Sequence, residues 1–570
     1  MPSCDVSYAL TGKILPRGSW AHGPTRITHL HFCQPPGVQS HHNHARHSRD
    51  ESHMVMLHRH RPASPAQTDQ QASAIPISTG GTGASTTITR IVDVSIVIIV
   101  TLCYSTYALI RHTVFRSAGY DLGIFDQAVR NYAHFHLPYS PLKGVSFNLL
   151  GDHFHPLLMV FAPLYWIWDD PRMLLVGQAI VVALSLPLLT RIAERRMHPI
   201  AARIFTVLIA FSWPMQGLID FNFHEICMAI PLVCLAYDAL DRRSFTPFIV
   251  ACVLLLGVRE DLGTVVALLG LVWAWEVWRT THDHRQALRG VYMFLGGIVA
   301  FVVITRLVIP SLAPDGTFAY WDYPDFGSSL SDMLAMIVQH PLKSLGIAFG
   351  NSYKRQTLLL LVEPFFFLCL GSVRWLPCLP ILLSRMWSNR PLLWMGMFHY
   401  NAIEFVIFAI AAVTVVGRVS KNWRKAVVAV LLVSITYSYR IAHLEGEWTE
   451  PFRQLPQDVR TIKNNPRIDA INEMLAAVPE NTCVTADDRV APHLTSTNRV
   501  TVPGAPTPRT DLVILDMTQA DTGNGLSKPS DALKNYEDQG YQHIADKENY
   551  ILLSTSNVVP DKKLCGPTAP

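Results

Sequence analysis

Two aspartates lie in a short polar segment at residues 120–127 (YDLGIFDQ), which follows a long apolar stretch. A carboxylate within hydrogen-bond reach of a hydroxyl group can remove its proton as a general base. On a helix, positions 121 and 125 share a face, and position 126 lies about a quarter turn away. We therefore predict Asp121 and Asp126 as catalytic acids, and the alternative that Asp121 only caps a helix stays open.

A second polar segment, residues 151–156 (GDHFHP), places an aspartate beside a histidine. Carboxylate and imidazole groups are common ligands of divalent transition metals. We therefore predict Asp152 and His153 as ligands of a divalent metal cofactor such as Mn²⁺ or Mg²⁺. Two ligands do not complete a metal site, so a simple hydrogen-bonding role for His153 stays open.

The charged triplet Arg259-Glu260-Asp261 interrupts an otherwise apolar run. Such interruptions are tolerated at membrane depth where they line a cavity, and arginine binds phosphate through two hydrogen bonds at once. We predict the triplet as a substrate and phosphate site, with Lys354 and Tyr400 as further members. The alternative is that Arg259 pairs internally with its acidic neighbours.

These polar segments are separated by long apolar stretches in a chain that is 49% apolar and 16% charged. A soluble protein carries about 25% charged residues. Because a bilayer-crossing helix needs about 20 mostly apolar residues, the pattern predicts a mostly α, polytopic transmembrane helical bundle with about eleven spans. The predicted spans are residues 91–110, 173–192, 203–218, 225–240, 246–258, 262–278, 290–309, 356–372, 376–388, 401–416 and 425–440.

Basic residues predict the orientation of this bundle, because cytoplasmic loops carry most Lys and Arg. With the amino terminus in the cytoplasm, every basic cluster between spans falls inside, provided that residues 154–168 lie along the outer membrane surface. Ionisable residues near membrane depth are candidates for function. We predict one extracytoplasmic site whose wall holds Asp121, Asp126, Asp152, Asp220, Glu225, Glu260 and Asp261.

The two ends of the chain differ from the transmembrane domain, which we place at residues 91–440. Residues 1–90 contain a His-rich tract and predict a disordered cytoplasmic tail, with metal binding and an upstream start codon as open alternatives. Residues 441–570 predict a small extracytoplasmic α/β domain. Its expected strands are 483–486, 512–515 and 550–553, and its expected helices lie near 468–478 and 530–539.

Cys483 and Cys565 are the two cysteines that follow the last predicted span. The predicted orientation places them outside the cytoplasm, where disulfides persist. We predict a disulfide that fastens the end of the chain to the first strand of the tail domain. A buried thiol at Cys483 and an unpaired thiol at Cys565 remain the alternative.

Six segments together resemble the prokaryotic membrane proteins of domain-of-unknown-function family 2079, over residues 91–555. That family is similar to the GT-C glycosyltransferases, relatives of protein O-mannosyltransferases and aminoarabinose transferases, which carry a catalytic acid in the first outer loop and use polyprenyl-phosphate sugars. The resemblance implies a GT-C-like fold and matches Asp121 to that acid, although the usual Asp-Glu pair is Asp-Leu here. The segments are YDLGIFDQ, GDHFHPL, DFNFHE, REDLG, HYNA and APHLTSTNR.

We therefore predict a multi-pass plasma-membrane glycosyltransferase that moves a sugar from a polyprenyl-phosphate donor to an extracytoplasmic glycan or protein. Asp121 or Asp126 would deprotonate the acceptor, and Arg259 would stabilise the departing phosphate. A transporter or lipid flippase and a non-catalytic envelope assembly protein stay open as alternatives. The cytoplasmic halves of the spans look apolar and no repeat of spans is evident, which argues against transport. A net charge of +4 without a basic, aromatic stripe excludes a nucleic-acid partner.

Overall fold

The computed structural model describes residues 83–396, 398–444 and 451–566. The prediction for the amino-terminal tail falls almost entirely outside these residues. The first part of the chain is helical, as its long apolar runs predict. Its α-helices are α1 Gly83–Thr113, α2 Ile124–Ala133, α3 Ala162–Tyr165, α4 Arg172–Ala183, α5 Leu186–Glu194, α6 Pro199–Ala210, α7 Trp213–Asp220, α8 Ala229–Asp241, α9 Phe245–Leu256, α10 Leu262–Thr281, α11 His284–Val303, α12 Ile309–Leu312, α13 Leu330–Gln339, α14 Pro341–Phe349, α15 Ser352–Val362, α16 Leu379–Trp387, α17 Pro391–Trp394, α18 Ala402–Arg418 and α19 Lys421–Leu444.

Five helical segments in the described part of the chain are long and apolar enough to cross a membrane. A bent pair, α6 and α7, makes a sixth if its two helices form one span with a 43° bend. The segment that contains α18 is the most enclosed, with 83% of its apolar window buried against its neighbours. The five segments are Thr87–Thr113, Arg172–Glu194, Leu262–Thr281, His284–Leu312 and His399–Arg418.

Four of the other five predicted spans correspond to helices that are short or interrupted, while the span 425–440 lies within the 24-residue helix α19. The predicted span 356–372, for example, begins as α15 but ends its α-helix at Val362. Pro364 follows, and Phe366 and Phe367 adopt left-handed backbone conformations with φ of 48° and 56°. Proline removes an amide donor and left-handed residues cannot continue an α-helix, so this segment divides into short helical turns.

The tail forms a five-stranded sheet in the order β2-β1-β3-β5-β4. Strand β1 pairs in parallel with β2 and β3, and β5 pairs antiparallel with β3 and β4. The strands predicted at 483–486, 512–515 and 550–553 are confirmed as β1, β3 and β5. The strands are β1 Cys483–Ala486, β2 Arg499–Thr501, β3 Leu512–Asp516, β4 Gln542–Lys547 and β5 Tyr550–Ser554, and the helices are α20 Leu455–Asn464, α21 Pro466–Ala477 and α22 Pro529–Asp538.

The predicted disulfide between Cys483 and Cys565 is confirmed, with the two Cα atoms 5.3 Å apart. It joins the first residue of β1 to the last described turn of the chain, Lys562–Cys565. Alternate residues of β3 point to opposite faces of the sheet. Val513 and Leu515 pack with Tyr536 of α22, while Ile514 belongs to the larger core of the molecule.

A cluster of ion pairs lies at the carboxyl ends of α5, α8 and α10, and we call it the carboxyl-end cluster. Arg374 binds Asp241 at 2.6 Å and Glu276 at 2.6 Å, and Arg195 binds Asp238 at 2.6 Å. The expectation that these helix halves are apolar is therefore wrong, because the acids there are buried with arginine partners supplied by loops and turns. The cluster consists of Arg195, Arg196, Asp238, Asp241, Arg242, Glu276 and Arg374.

Candidate functional site

Asp121 lies on a π-helical turn, Gly119–Gly123, between α1 and α2. Such turns are rare and occur frequently at functional sites. Within the described part of the chain, no group donates a hydrogen bond to the Asp121 carboxylate. Burial and the negative charges of Asp488 and Glu225 raise the pKa of Asp121, against the opposing charge of Lys143. A carboxyl group in this state suits an exchange of protons with a bound hydroxyl group.

Asp126, the other predicted catalytic acid, is fully buried and bonded. The hydroxyl group of Tyr165 donates to its Oδ1 at 2.7 Å. The guanidinium of Arg130 donates to Oδ1 at 2.9 Å and to Oδ2 at 3.1 Å. Both carboxylate oxygens are thus engaged in a structural ion pair, so Asp121 is the better placed of the two predicted acids.

Asp152 binds a lysine that lies earlier in the same loop. Its Oδ2 is 3.0 Å from Nζ of Lys143, and the hydroxyl group of Tyr320 donates to its Oδ1 at 2.7 Å. Burial would raise the pKa of Asp152, but Lys143, His153 and Tyr320 lower it. The aspartate is therefore a charged group that holds Lys143 near Asp121.

His153 stacks on the ring of Tyr320, with centroids 4.2 Å apart, and binds the charged triplet. Its Nδ1 lies 2.7 Å from Oε1 of Glu260, and the amide of Phe154 donates to Oε2 at 3.0 Å. Burial would lower the pKa of His153, but Glu260 and Asp152 raise it to about 9. His153 and Glu260 are therefore a charged pair that ties the first loop to the start of α10.

The predicted metal site at Asp152 and His153 has these two residues bonded to different partners, Lys143 and Glu260. Among residues 83–396, 398–444 and 451–566, no group of three His, Cys, Asp or Glu side chains is placed to hold a metal ion. In this arrangement the pair does not present a metal ligand set, and the metal cofactor stays a prediction.

Arg259 pairs with Asp261 in the triplet, which is the internal pairing that stood as the alternative to phosphate binding. Its Nε and Nη2 donate to Asp261 at 2.8 Å and 2.7 Å. Its Nη1 lies 3.8 Å from Oε1 of Glu225. Glu225 in turn lies 2.7 Å from Nδ1 of His224. The arginine therefore connects two of the polar segments and keeps one side directed towards Glu225.

Tyr400 lies beside this network, and Lys354 does not. Tyr400 is half-buried next to His399, whose ring stacks on His224 with centroids 3.6 Å apart. Lys354 is buried and donates to the backbone carbonyls of Met386 at 2.6 Å and Ile347 at 3.2 Å. Because those carbonyls engage its ammonium group, the predicted phosphate-binding role of Lys354 lacks support in the contacts.

The tail domain packs directly on the first loop. The backbone amide of Tyr120 donates to Oδ1 of Asp488 at 2.9 Å, and the amide of Gly119 donates to the carbonyl of Asp488 at 2.7 Å. Nearby, the ring of His493 stacks on those of His112 and Phe115, each at 4.0 Å between centroids. The APHLTSTNR segment of the tail thus contacts the loop that holds Asp121.

Six of the seven acids predicted to share a wall lie in or beside one connected group of charges. Asp220, for example, pairs with Arg111 at 2.8 Å, and the charge of Arg111 acts on Asp121. Asp126 is the exception, since Arg130 and Tyr165 hold it. We call the connected group the first-loop site, which comprises Asp121, Lys143, Asp152, His153, Glu225, Arg259, Glu260, Asp261 and Asp488.

Lys143 and Asp488 belong to this site and were not predicted from the sequence. Lys143 lies in the first loop between the segments YDLGIFDQ and GDHFHPL. This position between two motifs could have marked it as a candidate site residue. Asp488 lies 368 residues from its contact at Tyr120, and no local sequence pattern predicts such a contact. Only the tail motif beginning at Ala491, three residues further on, indicated that this region mattered.

Solved structures that match this chain at low identity include ArnT and AglB. ArnT from Cupriavidus metallidurans bound to undecaprenyl phosphate is 10% identical with a TM-score of 0.46, covering 85% of this chain and 100% of that chain. Archaeal oligosaccharyltransferase AglB from Archaeoglobus fulgidus, in complex with an inhibitory peptide and a dolichol-phosphate, is 12% identical with a TM-score of 0.35. That match covers 81% of this chain and 74% of that chain. No curated protein matches the chain.

A family model described as "Predicted membrane protein (DUF2079)" matches residues 111–552. The matched range contains every segment of the first-loop site, including the tail residue Asp488, and it confirms the resemblance drawn from the motifs. The protein therefore belongs to the DUF2079 family of predicted membrane proteins.

Proposed function

We propose that the protein is a membrane glycosyltransferase that transfers a sugar from a polyprenyl-phosphate donor to a hydroxyl group of an extracytoplasmic acceptor. The observation that supports this proposal is the Asp121 carboxyl group, which is half-buried, accepts no hydrogen bond from the described residues and has a raised pKa. Catalytic bases work best when their pKa lies near the working pH. The donor class follows from the similarity of the family to GT-C glycosyltransferases.

The proposed step is a substitution at the anomeric carbon of the sugar. The acceptor oxygen forms a bond to that carbon, and its proton passes to the Asp121 carboxylate. The bond from the anomeric carbon to the phosphate oxygen breaks, and the phosphate leaves with the electron pair. Positive charges placed where negative charge develops stabilise such a leaving group, and Lys143 and Arg259 are the proposed sources of that charge.

Each of the two cations is paired with a carboxylate, which suits this role. Lys143 lies 3.0 Å from Asp152 and Arg259 is bonded to Asp261. These carboxylates fix the positions of the cations before a substrate arrives, so the phosphate meets groups that are already oriented. We place Lys143 nearer to the reacting atoms, because its charge acts directly on Asp121.

The direct test of the function is label transfer by the purified full chain. The protein is incubated with a panel of radiolabelled polyprenyl-phosphate sugars and extracted envelope as acceptor. Wild-type protein should transfer label from one donor, and Asp121→Asn should not. Asp325→Asn, at an exposed position in the short 3-10 turn Pro324–Phe326, is the matched control and should transfer normally. Label transfer at the wild-type rate by Asp121→Asn would remove Asp121 from the mechanism.

The proposed orientation places the first-loop site and the tail outside the cytoplasm, and reporter fusions test it. A reporter that is active only outside the cytoplasm should work when fused after residue 340 or 440 and fail after residue 243 or 285. These positions alternate between loops rich and poor in arginine, which is the basis of the orientation. Activity of the fusion at residue 285 would overturn it.

A further inference from the structure

Asp488 accepts hydrogen bonds from two backbone amides of the loop that carries Asp121. It lies two residues after β1, at the carboxyl end of a strand that pairs in parallel with both neighbours. Its side chain and its carbonyl accept hydrogen bonds from consecutive amides of the π-turn, those of Tyr120 at 2.9 Å and Gly119 at 2.7 Å. One residue of the tail thus satisfies the amino-terminal donors of the turn.

The fit between the turn and the tail is close. A Cβ atom added at Gly119 would lie 3.1 Å from Cβ of Ala491 and 3.2 Å from Oδ1 of Asp488. Gly523, on another tail loop, has a φ of +146° and lies against Asp488 and the ring of Tyr120. A side chain at position 119 would press on Ala491 and Asp488, and glycine avoids this crowding. The tail therefore fixes the backbone that positions Asp121.

The side chain of Asp488 also places a charge near Asp121. After burial, the negative charge of Asp488 is the largest cause that raises the pKa of Asp121. The charged groups that interact with Asp488 are Asp121 on the π-turn and Asp487, Arg489 and Asp521 within the tail. Burial raises the pKa of Asp488 itself to about 6, against the hydrogen bond from Tyr120 and the charge of Arg489.

We propose that Asp488 is a positioning residue of the first-loop site, which holds the π-turn by its backbone amides and sets the charge environment of the Asp121 carboxyl group. The tail domain is then a part of the reaction site and not a separate module. The role of Asp121 as the base rests on the proposed function, but the positioning by Asp488 does not. The two claims therefore need separate measurements.

The first measurement requires no substrate. A water-soluble carbodiimide with an amine nucleophile labels protonated carboxyl groups, and peptide mass spectrometry of the full chain in detergent reports the label on Asp121 at each pH. Asp488→Asn keeps an acceptor oxygen but removes the charge, so the pH of half-labelling should fall by on the order of one unit. Asp488→Glu keeps the charge and should stay near the wild type. Asp531→Asn, an exposed tail position, is the matched control and should not change the labelling.

Hydrogen exchange separately measures the hydrogen bonds from the Gly119 and Tyr120 amides to Asp488. The amides of Gly119 and Tyr120 should be protected in wild type and in Asp488→Asn, and should lose protection in Asp488→Ala. Gly119→Ala should reduce the protection, because the added methyl group presses on Ala491 and Asp488. Gly296→Ala is the control, since a Cβ at that position meets nothing within 4 Å.

The outcomes separate the two proposals. If Asp488→Asn leaves the half-labelling pH of Asp121 unchanged, or if Asp488→Ala leaves both amides protected, the positioning role is overturned. If no polyprenyl-phosphate sugar gives label transfer, the proposed function fails while the labelling result stands. Where transfer is found, the acid limb of the pH–rate profile of Asp488→Asn should move to lower pH in step with the labelling.

Discussion

Among the described residues, a cluster of charges lies at each end of the helices α8 and α10, and the two clusters differ in how their acids are bonded. The first-loop site lies at the amino ends of α8 and α10, and the carboxyl-end cluster lies at their carboxyl ends. With 13 residues in α8 and 20 in α10, the two clusters are roughly 20 to 30 Å apart along the helix axes.

In the carboxyl-end cluster, both oxygens of each acid are engaged by arginine. Asp238 is bonded by Arg195 and Arg242, Asp241 by Arg195, Arg196 and Arg374, and Glu276 by Arg374. In the first-loop site, by contrast, Asp121 accepts no hydrogen bond from the described residues.

The difference separates charge that stabilises the fold from charge that is available for a reaction. Removing one partner of a buried, fully hydrogen-bonded ion pair strongly destabilises a protein. Such a pair also has no free donor or acceptor with which to bind a ligand. The carboxyl-end cluster also bears on the transporter alternative. Its acids lie at the ends of the helices and are all paired with arginine, which differs from the unpaired polar residues near the middle of the membrane that a transport path would use.

The largest expected effect on stability comes from breaking the closed cluster. Arg374→Met leaves Asp241 and Glu276 buried with fewer partners, which should lower the free energy of unfolding by about 3 to 5 kcal/mol. Thermal unfolding of the purified protein in detergent measures this loss. Arg279→Met, at an exposed position on the same end of α10, is the control and should change stability little. An unchanged melting temperature for Arg374→Met would contradict the structural role of the cluster.

The disulfide gives the next largest effect. Cys483→Ser releases a loop of 82 residues, and the loss of a disulfide that closes a long loop destabilises a domain by about 2 to 4 kcal/mol. Non-reducing mass spectrometry of the alkylated wild-type chain should show no label on Cys483 or Cys565, and the variant should unfold its tail at lower temperature. Two alkylated thiols in the wild type would refute the bond.

A smaller effect should follow pH at the pair of His153 and Glu260. The pKa of His153 is raised from 6.5 to about 9, so the pair stabilises the protein fully below pH 6.5 and loses this contribution as the pH rises through 9. Because the His153 side chain is 27% exposed, we expect a loss of only about 1 to 2 kcal/mol. Melting temperatures between pH 6 and 10 measure it, and His153→Gln should remove this part of the pH dependence. A wild-type curve that is flat over this range would count against the ion pair.

The sequence predicted the elements whose signals are local. The apolar strands β1, β3 and β5 and the helices α21 and α22 lie where alternation and apolar runs placed them. Strand β2 was missed because it has only three residues, and β4 because its residues, Gln542–Lys547, are mostly polar and exposed. The disulfide was predicted because orientation and the number of remaining cysteines constrained the choice.

The sequence predicted only part of the site, because long-range contacts decide the rest. Motif acids of the first loop and of the triplet were found, since charged residues stand out in apolar surroundings. Their bonding was not, because the pairing of His153 with Glu260 joins residues 107 positions apart. The contribution of Asp488 depends on how the tail packs, and the carboxyl-end cluster depends on arginines that were interpreted only as markers of orientation.

The most direct test of the account compares Asp121→Asn with Arg374→Met in two assays, label transfer and thermal unfolding. Asp121 is a group whose charge is disfavoured in the folded protein, so its neutral replacement should keep or raise the melting temperature while transfer falls by about 10² to 10⁴-fold. Arg374→Met should lower the melting temperature, and the fraction that stays folded should transfer label. If Asp121→Asn unfolds as early as Arg374→Met and transfers label at the wild-type rate, Asp121 is not the reactive group and its charge serves the fold instead.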